Sequence, residues 1–184
     1  MDVFNPLCNR VKGQSGMINK KICMLGSFSV GKTSMVQQFV YSLFSDNYLS
    51  TVGVKISKKQ LSVDGTDLNL VLWDLEGQDD FYGVNTAYLK GAMGALLVID
   101  GTRQETLATA ISLRQTMLDT VGDIPHLFLI NKADMQGMWE IKDSDLAPLE
   151  ASGAKYLKTS AKTGENVEEA FTQLARAMLE KDHA

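Results

Sequence analysis

Gly26-Ser27-Phe28-Ser29-Val30-Gly31-Lys32-Thr33 stands between a short apolar run, KICML at 21–25, and a helical pattern, KTSMVQQFV at 32–40. Strand, G-x-x-x-x-G-K-[ST] loop and helix in that order make a chain that wraps a phosphate. The glycines let the backbone curl so that the N–H groups of Ser29, Val30 and Gly31 face one anion. The helix start at Lys32, Thr33 and Ser34 adds its dipole. Lys32 neutralises the terminal phosphates and Thr33 offers a hydroxyl to Mg²⁺. The plain alternative is an ordinary glycine-rich strand-to-helix turn.

Outward from this loop the same rhythm repeats. ALLVID at 95–100 and HLFLIN at 126–131 are continuous apolar runs of strand length, as in parallel strands covered on both faces, and KYLKTS at 155–160 is a weaker one. Helical patterns separate them: KTSMVQQFVYSLF at 32–44, DDFYGVNTAYLKG at 79–91, RQETLATAISLRQTMLDTVG at 103–122 and GENVEEAFTQLARAMLEK at 164–181. One stretch departs from it. QLSVDGTDLNLVLWD at 60–74 alternates with period two around Asp64-Gly65, which predicts a β-hairpin. The class is α/β: a mostly parallel sheet with one antiparallel edge strand, helices on both faces and ligands bound beyond the carboxyl ends of the parallel strands. Residues 1–19, rich in Gly, Asn and Ser without periodicity, are expected to form a flexible extension, and residues 20–184 the functional domain.

The 184 residues suit one domain. A net charge of −4, from 18 basic and 22 acidic side chains, gives no footprint for tracking a nucleic-acid backbone. No run reaches membrane-span length, and the two cysteines, Cys8 and Cys23, cannot build a disulfide framework. A soluble, cytoplasmic monomer is expected.

The loop alone does not choose the base. Asn131-Lys132-Ala133-Asp134 follows HLFLI directly, on the same sheet edge as the phosphate loop. There the Asp134 carboxylate can accept hydrogen bonds from guanine N1–H and the exocyclic amine, groups for which adenine offers no equivalent pair. The alternative for Asp134 is a helix N-cap. Thr159-Ser160-Ala161-Lys162 ends the last strand candidate; the Ala161 N–H can meet the guanine carbonyl and Ser160 can brace Asp134, or the segment is a simple loop. In Trp73-Asp74-Leu75-Glu76-Gly77-Gln78, Asp74 can hold a Mg²⁺ shell through water, Gly77 can offer its N–H to a γ-phosphate and Gln78 can orient the attacking water. A free turn would look similar.

GSFSVGKT, Thr51, WDLEGQ, NKAD and TSAK, in this order, resemble the Ras superfamily of small GTPases over nearly everything from Lys20 to Lys181, with YLSTVGVKI and NTAYLKGAMGALLVIDGT most like the Rab branch. The resemblance implies a six-stranded P-loop NTPase sheet with five helices, a GTP/GDP switch with Mg²⁺, and effector, exchange-factor and GTPase-activating partners. Thr51 is spaced from Thr33 as in Ras itself, which implies that it closes on the metal. By the same resemblance Phe44 packs edge-on to guanine, against the alternative of a helix-end core residue, and Tyr48 lids the phosphates.

Several residues depart from that pattern. Phe28 and Ser29 replace frequent glycines, and the bulk of Phe28 is expected to hinder a partner's arginine finger. Glu76 replaces Ala or Gly and, if it stays near phosphate, repels it unless it turns outward or joins the metal shell. Lys55 and Ile56 replace the Rab Asp-Phe, so the partner-binding aromatic cluster becomes Ile56, Trp73 and Tyr88. The closing EKDHA lacks the cysteine needed for prenylation, so stable lipid anchoring is not expected, as in a bacterial relative or a trimmed chain. The expected function is slow GTP hydrolysis driving a switch in signalling or trafficking. The rivals are a nucleotide-locked interaction module and a small-metabolite kinase.

Overall fold

The computed structural model describes residues 17–45, 51–77 and 85–183. Six strands form one sheet: β1 (Ile18–Leu25), β2 (Val54–Val63), β3 (Thr66–Leu75), β4 (Gly94–Asp100), β5 (His126–Asn131) and β6 (Tyr156–Lys158). They lie in the order β2-β3-β1-β4-β5-β6, and only the edge pair β2–β3 is antiparallel. The phosphate loop, the chain after β5 and the chain after β6 therefore leave the sheet at one edge, the carboxyl ends of parallel strands.

Period two deals each central strand between two apolar layers. Ile22 and Met24 of β1 and Leu96 and Val98 of β4 face α1 (Lys32–Tyr41) and α4 (Val167–Asp182). Phe39 and Phe171 stack there with ring centroids 3.8 Å apart. Cys23 and Leu25, with Leu97 and Ile99, face α2 (Glu105–Val121) and α3 (Asp143–Ala151). Every residue of β4 is buried, which is why its sequence is apolar throughout rather than alternating. The Cys23 thiol is unpaired in disulfide terms, and burial pushes it up to about 11 against the opposing charge of Lys21. Lys20 is buried and is held by the Asp182 carboxylate.

The structure departs from the sequence expectation in five places. First, β1 begins at Ile18, inside the stretch expected to be an extension, because its pairing with Leu68 carries the ladder past the apolar run. Second, β2 runs back to Val54, well before Gln60; Lys55, Lys58 and Lys59 mask the alternation, as charges on edge strands commonly do. Third, α1 stops at Tyr41 rather than Phe44, since Ser42 turns left-handed (φ 54°) and closes the helix through its N–H to Gln38. Fourth, of the helix expected at 79–91, the described part holds only a 3-10 turn at Thr86–Tyr88; residues 79–84 lie outside the described residues. Fifth, α3 was not anticipated: it is short, contains Pro148 and starts with an Asp145 carboxylate accepting the Lys142 N–H. Among the described residues no helix is long and apolar enough to cross a membrane.

Candidate functional site

The loop after β1 closes on its own lysine. Lys32 is only 6% exposed, and its ammonium donates to the carbonyls of Gly26 (2.9 Å) and Ser27 (2.8 Å). A cation with backbone carbonyls behind it inside a turn of N–H groups is a pre-set anion site. Gly77 crosses against this loop so tightly that a Cβ there would lie 2.5 Å from the Phe28 Cα and 2.8 Å from the Ser27 carbonyl, so no other residue fits. Phe28 itself is 43% exposed, and its carbonyl accepts from the Arg103 guanidinium at 2.8 Å.

At the head of α1 three oxygen-bearing side chains converge. The Thr33 hydroxyl donates to Asp74 Oδ2 at 2.6 Å, Thr33 and Thr51 hydroxyls lie 2.7 Å apart, and the Thr51 hydroxyl lies 3.3 Å from the same Oδ2. Asp74 is 1% exposed, and its Oδ1 is buried with no hydrogen-bond partner among the described residues. Burial raises its carboxyl above the ordinary carboxylate value, against the bonds from Thr33 and Thr51 and the charges of Lys32 and Lys55. An unpartnered oxygen on a buried carboxylate is costly, and a hydrated divalent cation beside it removes that cost. The donor set is all oxygen and sparse in charge, which fits Mg²⁺, an ion that keeps several of its own waters.

Beside this cluster opens a cleft of about 180 Å³ lined by four separate segments: Gly31 and Ser34; Phe44; Asn131, Lys132, Asp134 and Met135; and Ala161 and Lys162. Met135 was not anticipated from the sequence. Phe44 reaches the cleft because α1 ends three residues before it. Asn131 ties the segments together: its amide donates to the Val30 carbonyl at 2.9 Å, and its oxygen accepts the Ala161 N–H at 3.1 Å. The Ala161 N–H is thus spent on Asn131 in this arrangement. Ser160 donates to Asp134 Oδ1 at 2.6 Å and accepts the Thr163 N–H at 3.1 Å. Ser29, exposed only in part, sits in the loop at φ 60°. Tyr48 and Gln78 lie outside the described residues.

Asp100 gave no signal in the sequence beyond ending an apolar run. It is fully buried and accepts from Lys132 (2.6 Å), Arg103 (3.0 Å) and the Thr102 hydroxyl (2.7 Å). It holds Lys132 at the cleft and Arg103 against the loop at once. Burial works to raise its carboxyl, but the bonds from Lys132 and Thr102 outweigh it and leave the group below the ordinary value. The folded carboxyl therefore binds its proton less readily than the unfolded one. Its stabilisation is complete above the ordinary carboxylate value and is lost as pH falls through the lower folded value. Asp100→Asn is expected to cost about 2 kcal/mol at neutral pH. Urea unfolding of both proteins across the acid range should show the gap closing; a gap that is constant down to strongly acid pH would remove the charge from the explanation.

Glu76 is exposed, and its carboxylate accepts the Gly53 N–H at 2.9 Å. Of the aromatic cluster, Trp73 and Tyr88 lie 6.3 Å apart between ring centroids, Ile56 is 49% exposed beside them on β2, and the Lys21 ammonium covers the Trp73 ring at 3.6 Å.

A sequence profile of the Ras family matches residues 21–180. The chain is 34% identical over 163 residues to Ras-related protein Rab-8B of Homo sapiens, covering 88% of this chain and 79% of that protein. It is 32% identical to Ras-related protein Rab-13 of Canis lupus familiaris, with 88% and 80% covered. It is 33% identical to Ras-related protein SEC4 of Saccharomyces cerevisiae, with 88% and 75% covered.

Proposed function

The chain belongs to the Ras family, and on that premise we propose how its residues divide the work of a guanine-nucleotide switch. The protein is a small GTPase of Rab type. It binds GTP and GDP with Mg²⁺, hydrolyses GTP, and acts as a switch in trafficking or signalling through regulators and effectors. The observation that carries the assignment of roles is one cleft lined by Gly31, Ser34, Phe44, Asp134 and Ala161, with the Thr33–Thr51–Asp74 cluster at its phosphate end.

In this reading the N–H groups of Ser29, Val30 and Gly31, with Lys32 and Ser34, hold the phosphates. Thr33 and Thr51, through their hydroxyls, and Asp74, through its carboxylate, would hold Mg²⁺. When bound, the ion neutralises the charge that develops between the β- and γ-phosphates. Asp134, steadied by Ser160, reads the guanine edge; Phe44 and Lys132 flank the base; Asn131, Ala161 and Lys162 complete its pocket. Gly77 offers its N–H toward the γ-phosphate. Gln78 places the water, and Tyr48 covers the phosphates. The water oxygen attacks γ-phosphorus in line, the bond to the bridging oxygen breaks with its electrons going to GDP, and the released proton ends on inorganic phosphate. The GTPase domain begins with β1 at Ile18, behind a short extension, and the protein works as a cytoplasmic monomer whose partners read the segments around Thr51 and Gln78.

The test is the nucleotide that co-purifies with the protein, together with single-turnover GTP hydrolysis. Bound GDP or GTP and a rate on the order of 10⁻³ s⁻¹, the scale of unassisted Ras-type hydrolysis, are expected. Bound adenine nucleotide would overturn the base assignment, and bound GTP that never turns over would favour the locked interaction module.

A further inference from the structure

Among the described residues, Thr51 and Gly53 meet the rest of the site through polar contacts. Val52 is 84% exposed, so it anchors nothing by apolar burial. On one side the Thr51 hydroxyl meets Thr33 and Asp74. On the other, both backbone polar groups of Gly53 are taken by a single residue. Glu76 donates its own N–H to the Gly53 carbonyl at 2.9 Å, one step beyond the last ladder pair, Val54–Leu75, and its Oε2 accepts the Gly53 N–H at 2.9 Å. Gly53 permits this with φ +72°, a left-handed backbone that aims its N–H and C=O at the same neighbour and that a side chain would strain.

An alanine or glycine at position 76 could supply the backbone bond but not the second one. The carboxylate bond is charge-assisted, hence stronger than a neutral one, although its exposure weakens it. We propose that Glu76 is a positioning residue for the switch: its carboxylate straps Gly53 to the end of β3 and so keeps the Thr51 hydroxyl on the Thr33–Asp74 pair. This inference rests on the reading of that cluster as the Mg²⁺ end of a GTPase site. Of the alternatives the sequence left for this carboxylate, the structure shows the outward one, with the charge turned onto the segment that Thr51 belongs to.

The strap acts on the dwell of Thr51 and not on the chemical step, which separates it from a catalytic role and from a general effect on folding. The experiment uses the full chain with Glu76→Ala and Glu76→Gln, and Glu76→Ala again on a Thr51→Ala background. Two quantities are read: solvent exchange of the Gly53 amide by NMR, and the Mg²⁺ concentration giving half-maximal single-turnover GTP hydrolysis. In Glu76→Ala both should rise about fivefold, while the limiting rate at saturating Mg²⁺ changes less than about twofold. Glu76→Gln, which keeps an acceptor oxygen, should fall between parent and Ala. On the Thr51→Ala background the Mg²⁺ effect of Glu76→Ala should vanish, because its means of action is gone. An unchanged Gly53 amide, an unchanged Mg²⁺ half-point, or an equal Mg²⁺ effect with and without Thr51 would each overturn the proposal. A parent that binds no guanine nucleotide would instead bring down the GTPase reading, while the amide measurement still reads the strap.

Discussion

Lys32→Ala is expected to weaken GDP and GTP binding by a factor of about 10² to several times 10³ while leaving the fold intact. The Lys32 ammonium is buried under the loop and held by the Gly26 and Ser27 carbonyls, so it is already desolvated and aimed before any ligand arrives. A pre-paid cation of this kind gives the bound phosphates a charge-assisted partner in a water-poor site. Removing one member of such a pair costs about 3 to 5 kcal/mol, each 1.4 kcal/mol being tenfold in affinity. The truncation also leaves two carbonyls without their donor, and this part of the cost appears in stability rather than in binding. Far-UV circular dichroism and a thermal melt separate the two contributions. The binding arm is equilibrium dialysis or titration with a fluorescent guanine nucleotide. Nanomolar GDP binding by a folded Lys32→Ala protein would contradict the cradle.

The fold was legible wherever one residue pattern had one physical meaning. The buried runs at 95–100 and 126–131 could only be covered strands once helical patterns flanked them, and they are β4 and β5. Asp64-Gly65 between alternating apolar residues fixed the hairpin register from Val63–Thr66 outward. What the sequence hid followed from competing signals. Lys55 and Lys58 of β2 face solvent at a sheet edge, Lys59 turns its ammonium over the Phe39 ring, and all three dilute the period-two pattern. Pro148 speaks against a helix in general, and α3 forms around it because Leu146 and Leu149 are buried against the sheet.

The site divided along the same line. Residues that work through backbone curvature or a fixed motif spacing, such as Gly31, Lys32 and Asp134, were visible because spacing along one segment states their geometry. Asp100, Arg103 and Met135 were not, since their roles come from segments meeting in space: nothing near Arg103 in sequence announces that it reaches the Phe28 carbonyl, a residue 75 positions away. Glu76 was noticed only as a misfit. Its partner is 23 positions earlier, and the bond depends on a left-handed glycine that sequence does not display.

Asp134→Asn is expected to cost about 10² to 10³ in GDP affinity and to turn base preference toward xanthine nucleotides. The local hydrogen bonds set the direction. Asp134 Oδ1 is taken by the Ser160 hydroxyl, whose oxygen in turn accepts the Thr163 N–H, so Ser160 has a proton to give and position 134 must present an acceptor to it. In the asparagine variant the amide oxygen keeps that place, and the NH₂ group takes the place of the carboxylate oxygen at the cleft. Guanine then brings its 2-amino group against another donor, which leaves both unpaired. Xanthine brings a 2-oxo acceptor and pairs. Loss of the charged acceptor and the donor–donor mismatch together account for roughly 3 to 4 kcal/mol against GDP. Sites built to satisfy a buried polar group reject mismatched partners by factors of this order or larger. Competition between GDP and XDP for the folded variant, each titrated against one fluorescent nucleotide, measures the exchange of preference. Guanine selectivity equal to the parent's would show that some other residue reads the base, and would detach Asp134 and Ser160 from nucleotide recognition altogether.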